Sequence, residues 1–142
     1  MIIHSAVVTG PTGAIGTALC RCLLQSGAEV YAVCRPNSVR RDSLPKSKNL
    51  HIVNCDLKHL DELPMLIAGR IDAFFHLGWA YTIGAGRNDM SAQIDNIRYT
   101  IDAVHAAVRL GCGVFLGAGS QAEYGRVEGL LKPDSPCFPE NG

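Results

Sequence analysis

Thr9-Gly10-Pro11-Thr12-Gly13-Ala14-Ile15-Gly16 stands between a short apolar run, Ser5–Thr9, and a stretch that opens an amphipathic helix. A chain that leaves a buried strand through closely spaced glycines and turns at once into a helix uses each glycine differently. Gly10 permits the tight turn, Gly13 lets backbone approach a pyrophosphate, and Gly16 lets helix and strand pack closely. The helix start, with Thr12, Ala14 and Ile15 around it, presents free N–H groups and the positive end of the helix dipole to phosphates. A Gly-rich turn without a ligand would show the same letters. The strand before it, the helix after it and a basic residue ending the next strand favour dinucleotide binding.

Working outward, the runs Ser5–Thr9, Val30–Cys34, His51–Cys55, Ala73–Leu77 and Gly113–Leu116 are short, bounded by Gly, Pro or polar residues, and too continuous for one-sided sheets. They read as strands buried on both faces. Between them lie helical stripes. Ile15, Leu19, Cys22 and Leu23 follow the first strand, with Gly27 placed to end the helix. Met90, Ile94, Ile97, Ile101, Val104 and Val108 mark a long helix by alternating spacings of four and three. Strand and helix alternation predicts an α/β fold, a doubly wound parallel sheet of Rossmann type with about five strands in the order 3-2-1-4-5. The tail Leu130–Gly142 carries Pro133, Pro136 and Pro139 without a periodic pattern. It reads as a loop leading to further structure, with the 142 residues as the incomplete N-terminal part of a longer protein.

Thirteen basic and thirteen acidic side chains cancel in 142 residues that are 47% hydrophobic. One domain with a substantial core is expected, with no overall field to attract nucleic acid or an anionic membrane. An anionic ligand must be caught by a local site. No leader pattern or long apolar run occurs, and six scattered cysteines without a C-x-x-C read as reduced core thiols. A cytoplasmic protein without a metal site is the expectation.

The glycine pattern, T-G-x-x-G-x-x-G with three residues in its first gap, resembles that of the short-chain dehydrogenase/reductases. The resemblance extends over the chain to the extended, NAD-dependent epimerase/dehydratase branch. It implies an NAD(P)-dependent enzyme that acts by hydride transfer on a nucleotide sugar or a related hydroxyl or carbonyl substrate, with a homodimer as an expected state. A non-catalytic NAD(P)-binding module of the same fold is the alternative.

Residue by residue, the second strand ends in Arg35 where NAD-specific sites usually carry a carboxylate. A guanidinium pairs with a 2′-phosphate through two parallel hydrogen bonds, which tilts the reading toward NADP. A solvated basic loop with Arg40 and Arg41 is the other reading. Asp56-Leu57 resembles the family's pair beside adenine, and Asp56 also suits a helix cap over Lys58–Leu66. His76-Leu77-Gly78-Trp79-Ala80 partly resembles the H-x-A-[AG] stretch along the cofactor. There His76 reads as a hydrogen-bonded core histidine, and Trp79 either as a wall of the substrate pocket or as core packing.

Ser120, in Gly117-Ala118-Gly119-Ser120-Gln121-Ala122-Glu123-Tyr124-Gly125, resembles the catalytic Ser/Thr of the family's S-S-x-x-x-Y-G segment, whose hydroxyl bonds the reacting oxygen. Asn96 resembles the asparagine that supports active-site geometry, although a locally bonded helix asparagine fits equally. The family's acid/base pair is a tyrosine with a lysine four residues later, on one helix face. Here Tyr31, Tyr81, Tyr99 and Tyr124 are followed at that spacing by Arg35, Ala85, Ala103 and Glu128. The 142 residues alone are therefore expected to be catalytically inactive.

Overall fold

The computed structural model describes residues 2–140. Five parallel strands, β1 (Ser5–Thr9), β2 (Glu29–Cys34), β3 (Leu50–Asn54), β4 (Ala73–His76) and β5 (Val114–Gly117), form one sheet in the order β3-β2-β1-β4-β5. The order reverses between β1 and β4, the switch point at whose carboxyl end open sheets of this kind bind ligands. Register across that switch point runs from Ala6 opposite Ala73 to Thr9 opposite His76. It is fixed at the other end by Asp72, whose Oδ2 accepts the amides of His4 (2.7 Å) and Ser5 (3.1 Å). Those two bonds hold the Asp72 carboxyl below the usual carboxylate range.

Helices cover both faces. On one side α1 (Ala14–Gln25) packs Cys20 and Leu23 against Ala6, Val8 and Val30. On the other, a 3-10 segment (Leu57–Glu62), the short α2 (Leu63–Leu66) and the long α3 (Met90–Arg109) enclose Val7, Val33, Phe74, Leu60, Leu63 and Ile71. Gly27, at φ +86°, ends α1 as expected, with the Ala28 amide bonded back to the Leu23 carbonyl at 3.0 Å. After Tyr124 no helix or strand occurs up to Glu140, in keeping with the Pro-rich loop expected there. Asn141 and Gly142, the last residues of that loop, lie outside the described residues.

Several sequence expectations need correction. The edge strands β3 and β5 are not buried on both faces, because only Val53 among their residues is buried. The α1 stripe is rotated: Ile15 is 73% exposed and Cys22 lies on the surface, while Gly16, Cys20 and Leu23 face the sheet. Cys20, Cys34 and Cys55 are core thiols and Cys112 is half-buried, but Cys22 and Cys137 are exposed.

The largest difference is in α3. Its buried face is Ala92, Asn96, Ala103, Ala106 and Ala107, whereas Ile94 and Ile101 of the apolar stripe are 60% and 49% exposed. Small side chains let the helix axis come close to a sheet whose own layer is already filled by Phe74 and Phe115, stacked at 5.6 Å between ring centres. The stripe itself faces outward, and β5 is an edge strand of the sheet with Leu116 and Gly117 exposed. Both features promote association. Sedimentation of the chain is therefore expected to show concentration-dependent self-association, weakened in an Ile94→Glu/Ile101→Glu double variant that keeps its helical circular dichroism. A monomer at all concentrations would show that the exposed stripe drives no association.

Candidate dinucleotide and substrate site

The turn after β1 has the geometry its glycines suggest. Gly10 sits at φ +65°, and a methyl group there would stand 2.9 Å from the Gly78 nitrogen and from the Leu77 carbonyl. The phosphate turn and the loop after β4 are thus in backbone-to-backbone contact. Gly16 is equally constrained, since a Cβ would run into the Gly10 carbonyl oxygen, and the Gly13 amide donates to that oxygen at 3.2 Å. Gly13 is the cap of α1 in extended conformation and supplies no side-chain capping bond; the first turn carries no acidic residue. Thr12, Gly13, Ala14 and Ile15 therefore surround a helix N-terminus suited to an anionic group. The Thr17 hydroxyl donates to the Pro11 carbonyl at 3.0 Å and holds the turn from below.

A hydrogen-bonded network joins this turn to α3. Thr9 is fully buried, and its hydroxyl accepts the amides of Leu77 (3.1 Å) and Gly78 (3.0 Å). With both lone pairs used, its single proton goes to His76 Nδ1 at 2.9 Å. His76 is therefore the neutral tautomer with hydrogen on Nε2, which faces the Thr100 hydroxyl at 3.4 Å. Thr100 in turn donates to the Asn96 carbonyl at 3.0 Å. Burial pulls the His76 pKa down to about 4, so the ring is uncharged at neutral pH.

Asn96, 1% exposed, pairs with the backbone of Ala80 in both directions: its Oδ1 accepts the Ala80 amide at 2.8 Å and its Nδ2 donates to the Ala80 carbonyl at 2.9 Å. Its Nδ2 also reaches Gln93 Oε1 at 3.2 Å, and the same Oε1 accepts the indole N–H of Trp79 at 2.9 Å. Residues Leu77 to Ala80 are thus clamped at one end by Thr9 and at the other by Asn96. Leu57 is half-buried against the core, and its Cδ2 would stand 2.8 Å from a Cβ on Gly78, so Leu57 packs directly over the Gly78 α-carbon.

The remaining sequence candidates are placed as follows. Arg35 is exposed at the carboxyl end of β2, with its carbonyl accepting Arg41 Nη2 at 2.6 Å. Arg41 also bonds the Asn54 side chain, so it ties the following loop to the ends of β2 and β3 and is not simply free positive charge. Asp56 caps the 3-10 segment by accepting the Lys58 amide at 3.3 Å. Ser120 follows β5; its exposed hydroxyl accepts the Ala122 amide at 3.2 Å. The Ala118 amide bonds the His76 carbonyl at 3.0 Å and so keeps the start of that loop beside the loop after β4. Trp79 is 45% exposed, which rules out core packing.

Sequence reasoning assigned no role of their own to Thr9, Gln93 and Thr100. A signal existed for the last two: Gln93, Asn96 and Thr100 lie three and four apart, on one side of a helix whose sheet-facing residues are otherwise alanines.

Sheet order, switch point and glycine turn define a Rossmann-type α/β domain. The chain belongs to the NAD dependent epimerase/dehydratase family, whose sequence profile matches residues 6–141. No curated protein sequence matches it. Among solved structures, the Bordetella bronchiseptica enzyme WbmG in complex with NAD is 20% identical with a TM-score of 0.77, over 96% of this chain and 44% of that one. The Thermus thermophilus UDP-glucose 4-epimerase in complex with NAD is 19% identical with a TM-score of 0.80, over 96% and 45%. The UDP-N-acetylglucosamine 4-epimerase of Methanobrevibacter ruminantium M1, in complex with UDP-N-acetylmuramic acid, is 22% identical with a TM-score of 0.79, over 99% and 46%. At these identities the likeness is one of fold, and the chain spans less than half the length of each of these three proteins.

Proposed function

We propose that this chain is the cofactor-binding portion of an NAD(P)-dependent enzyme that acts on a nucleotide sugar or a related hydroxyl or carbonyl substrate, with epimerisation, dehydration or reduction as the outcome. The observation that carries the reading is the cradle in which Gly10, Gly13 and Gly16 bring an uncapped helix N-terminus against the backbone of Leu77 and Gly78. Gly10 and Gly16 let the turn pack this tightly, and Gly13, where a Cβ would meet only the Gly10 carbonyl oxygen at 3.5 Å, leaves the helix start bare for a pyrophosphate to approach its amides. The family and the nucleotide-sugar enzymes among its fold neighbours support it.

In this reading Gly10, Thr12, Gly13, Ala14, Ile15 and Gly16 receive the pyrophosphate, Asp56 and Leu57 border the adenine, and Leu77 and Gly78 border the nicotinamide end, with the Trp79 indole turned to Gln93 of α3. The cofactor supplies hydride acceptance and return when bound. Ser120, at the carboxyl end of β5, offers a hydroxyl to the reacting oxygen. That hydroxyl stabilises charge developing there. Asn96 acts as a positioning residue, because its paired bonds to Ala80 fix the loop on which Gly78 and Trp79 sit. A homodimer is the proposed assembly.

Arg35 sets the cofactor preference toward NADP. Arg35→Asp is expected to shift discrimination between NADPH and NADH by at least about tenfold, through lost pairing and added repulsion. Calorimetric titration of the full-length protein and this variant with both cofactors reads the shift; an unchanged ratio would place Arg35 in solvent. Binding without turnover of a UDP-hexose by the full-length protein would favour a non-catalytic module over an enzyme.

A further inference from the structure

Trp79 is the chain's only tryptophan, and its setting is unusual for an exposed indole. Its backbone lies between residues clamped at both ends, with Gly78 bonded to Thr9 and Ala80 to Asn96. Its ring nitrogen is held by Gln93, whose Nε2 donates to the Gly86 carbonyl at 2.9 Å. An exposed side chain usually samples several rotamers, and ordering it costs free energy on binding. Here the buried Asn96 and the first turns of α3 fix both the backbone and the polar edge of the ring, while nearly half of the residue's surface meets solvent. A flat apolar surface, pre-set and open, is a feature of binding clefts more than of loops.

Its neighbour adds a second observation. Tyr81 is the only non-glycine residue with positive φ among the described residues, at +59°, and it is exposed. Its ring lies against Gly86, where a Cβ would stand 2.6 Å from Cδ1. A tyrosine in the left-handed region is strained, and such strain persists where surrounding structure imposes it. Gln93 bonds the same Gly86, so one amide side chain links the indole to the residue against which the Tyr81 ring lies.

The direction of this surface separates it from the phosphate turn. The backbone of Leu77 and Gly78 is in contact with Gly10, whereas the Trp79 indole is bonded to Gln93 in the first turn of α3; the loop that carries Ser120 starts at the same sheet end, where the Ala118 amide bonds the His76 carbonyl. We propose that Trp79 is a specificity-determining residue of the cleft: its fixed indole is the wall against which the sugar ring of the substrate lies by an apolar C–H face, with Gln93 as the positioning residue. This rests on the nucleotide-sugar reading above.

The test compares UDP-glucose with UDP alone, by calorimetric titration of the full-length protein and of Trp79→Ala, Trp79→Phe and Gln93→Leu variants, with NADH as a third probe. The expected result is that Trp79→Ala removes most of the affinity that the sugar adds, a loss of roughly five- to tenfold for UDP-glucose, and leaves UDP and NADH unchanged. Trp79→Phe, which keeps a flat ring and guards against misfolding, retains the larger part; Gln93→Leu, which frees the indole, gives an intermediate loss. Equal losses for UDP and UDP-glucose, or no loss for either, would overturn the assignment. A selective loss of NADH would move the indole to the nicotinamide and overturn it as well. A wild-type protein that binds neither UDP nor UDP-glucose would overturn the nucleotide-sugar reading itself, and this proposal with it.

Discussion

Gly10→Ala is expected to destabilise the fold by about 2–4 kcal/mol and to weaken NADH binding by on the order of 100-fold. Two costs combine at this position. The residue occupies the left-handed region at φ +65°, which costs an L-residue roughly 1–2 kcal/mol. The added methyl also meets the Leu77 carbonyl and the Gly78 nitrogen at 2.9 Å, and both are backbone atoms held in place by the Thr9 hydroxyl. Neither can rotate aside, so the phosphate turn and the loop after β4 must separate. Gly27→Ala is the natural control, because Gly27 has φ +86° and a methyl group added there would find nothing within 4 Å. It bears the conformational cost alone and should lose about 1 kcal/mol with cofactor affinity unchanged. Chemical denaturation with NADH titration of both variants distinguishes the two terms. Equal losses in stability, with equal affinity for NADH, would mean that the contact between the two loops is not what shapes the cradle.

The same turn explains why so much of the fold was legible in the sequence. A glycine requirement is local: three residues within seven positions, bounded by a strand and a helix, specify backbone geometry almost without regard to the rest of the chain. Strand order followed from the doubly wound pattern that the strand–helix alternation and the glycine turn together indicate. The facing of α3 was not legible, because the period of Ile94, Ile97, Ile101 and Val104 identifies one apolar face and says nothing about what covers it. The sheet took the alanine face, which permits closer approach, and left the bulky stripe outside. The role of Thr9 escaped notice for a related reason. A threonine ending a strand is ordinary, and its importance lies in two amides 68 and 69 residues away that no local pattern announces. Trp79 could not be decided between wall and core from its letter alone; its exposure and its bond to Gln93 decide it against the core.

His76 makes the stability of the fold depend on pH in a stated direction. Its pKa is about 4 in the folded chain against an ordinary histidine value of 6.5, with burial as the cause. The donor count sharpens this, since a proton on Nδ1 would face the Thr9 hydroxyl proton and force Thr9 to release an amide of the loop after β4. Between pH 6.5 and about 4 the unfolded chain takes up a proton that the folded chain refuses, so this contribution is complete above 6.5 and is lost as pH falls through the window. The loss should approach roughly 2–3 kcal/mol by pH 4. Other groups titrate in the same range, so the quantity to measure is the difference in unfolding free energy between the wild type and His76→Gln at successive pH values. Glutamine carries no titratable proton, and the wild-type advantage is expected to shrink steadily from pH 7 to pH 4. A difference that stays constant across that range would mean that the folded and unfolded states bind the His76 proton alike, and that the ring is not held neutral by the Thr9 network.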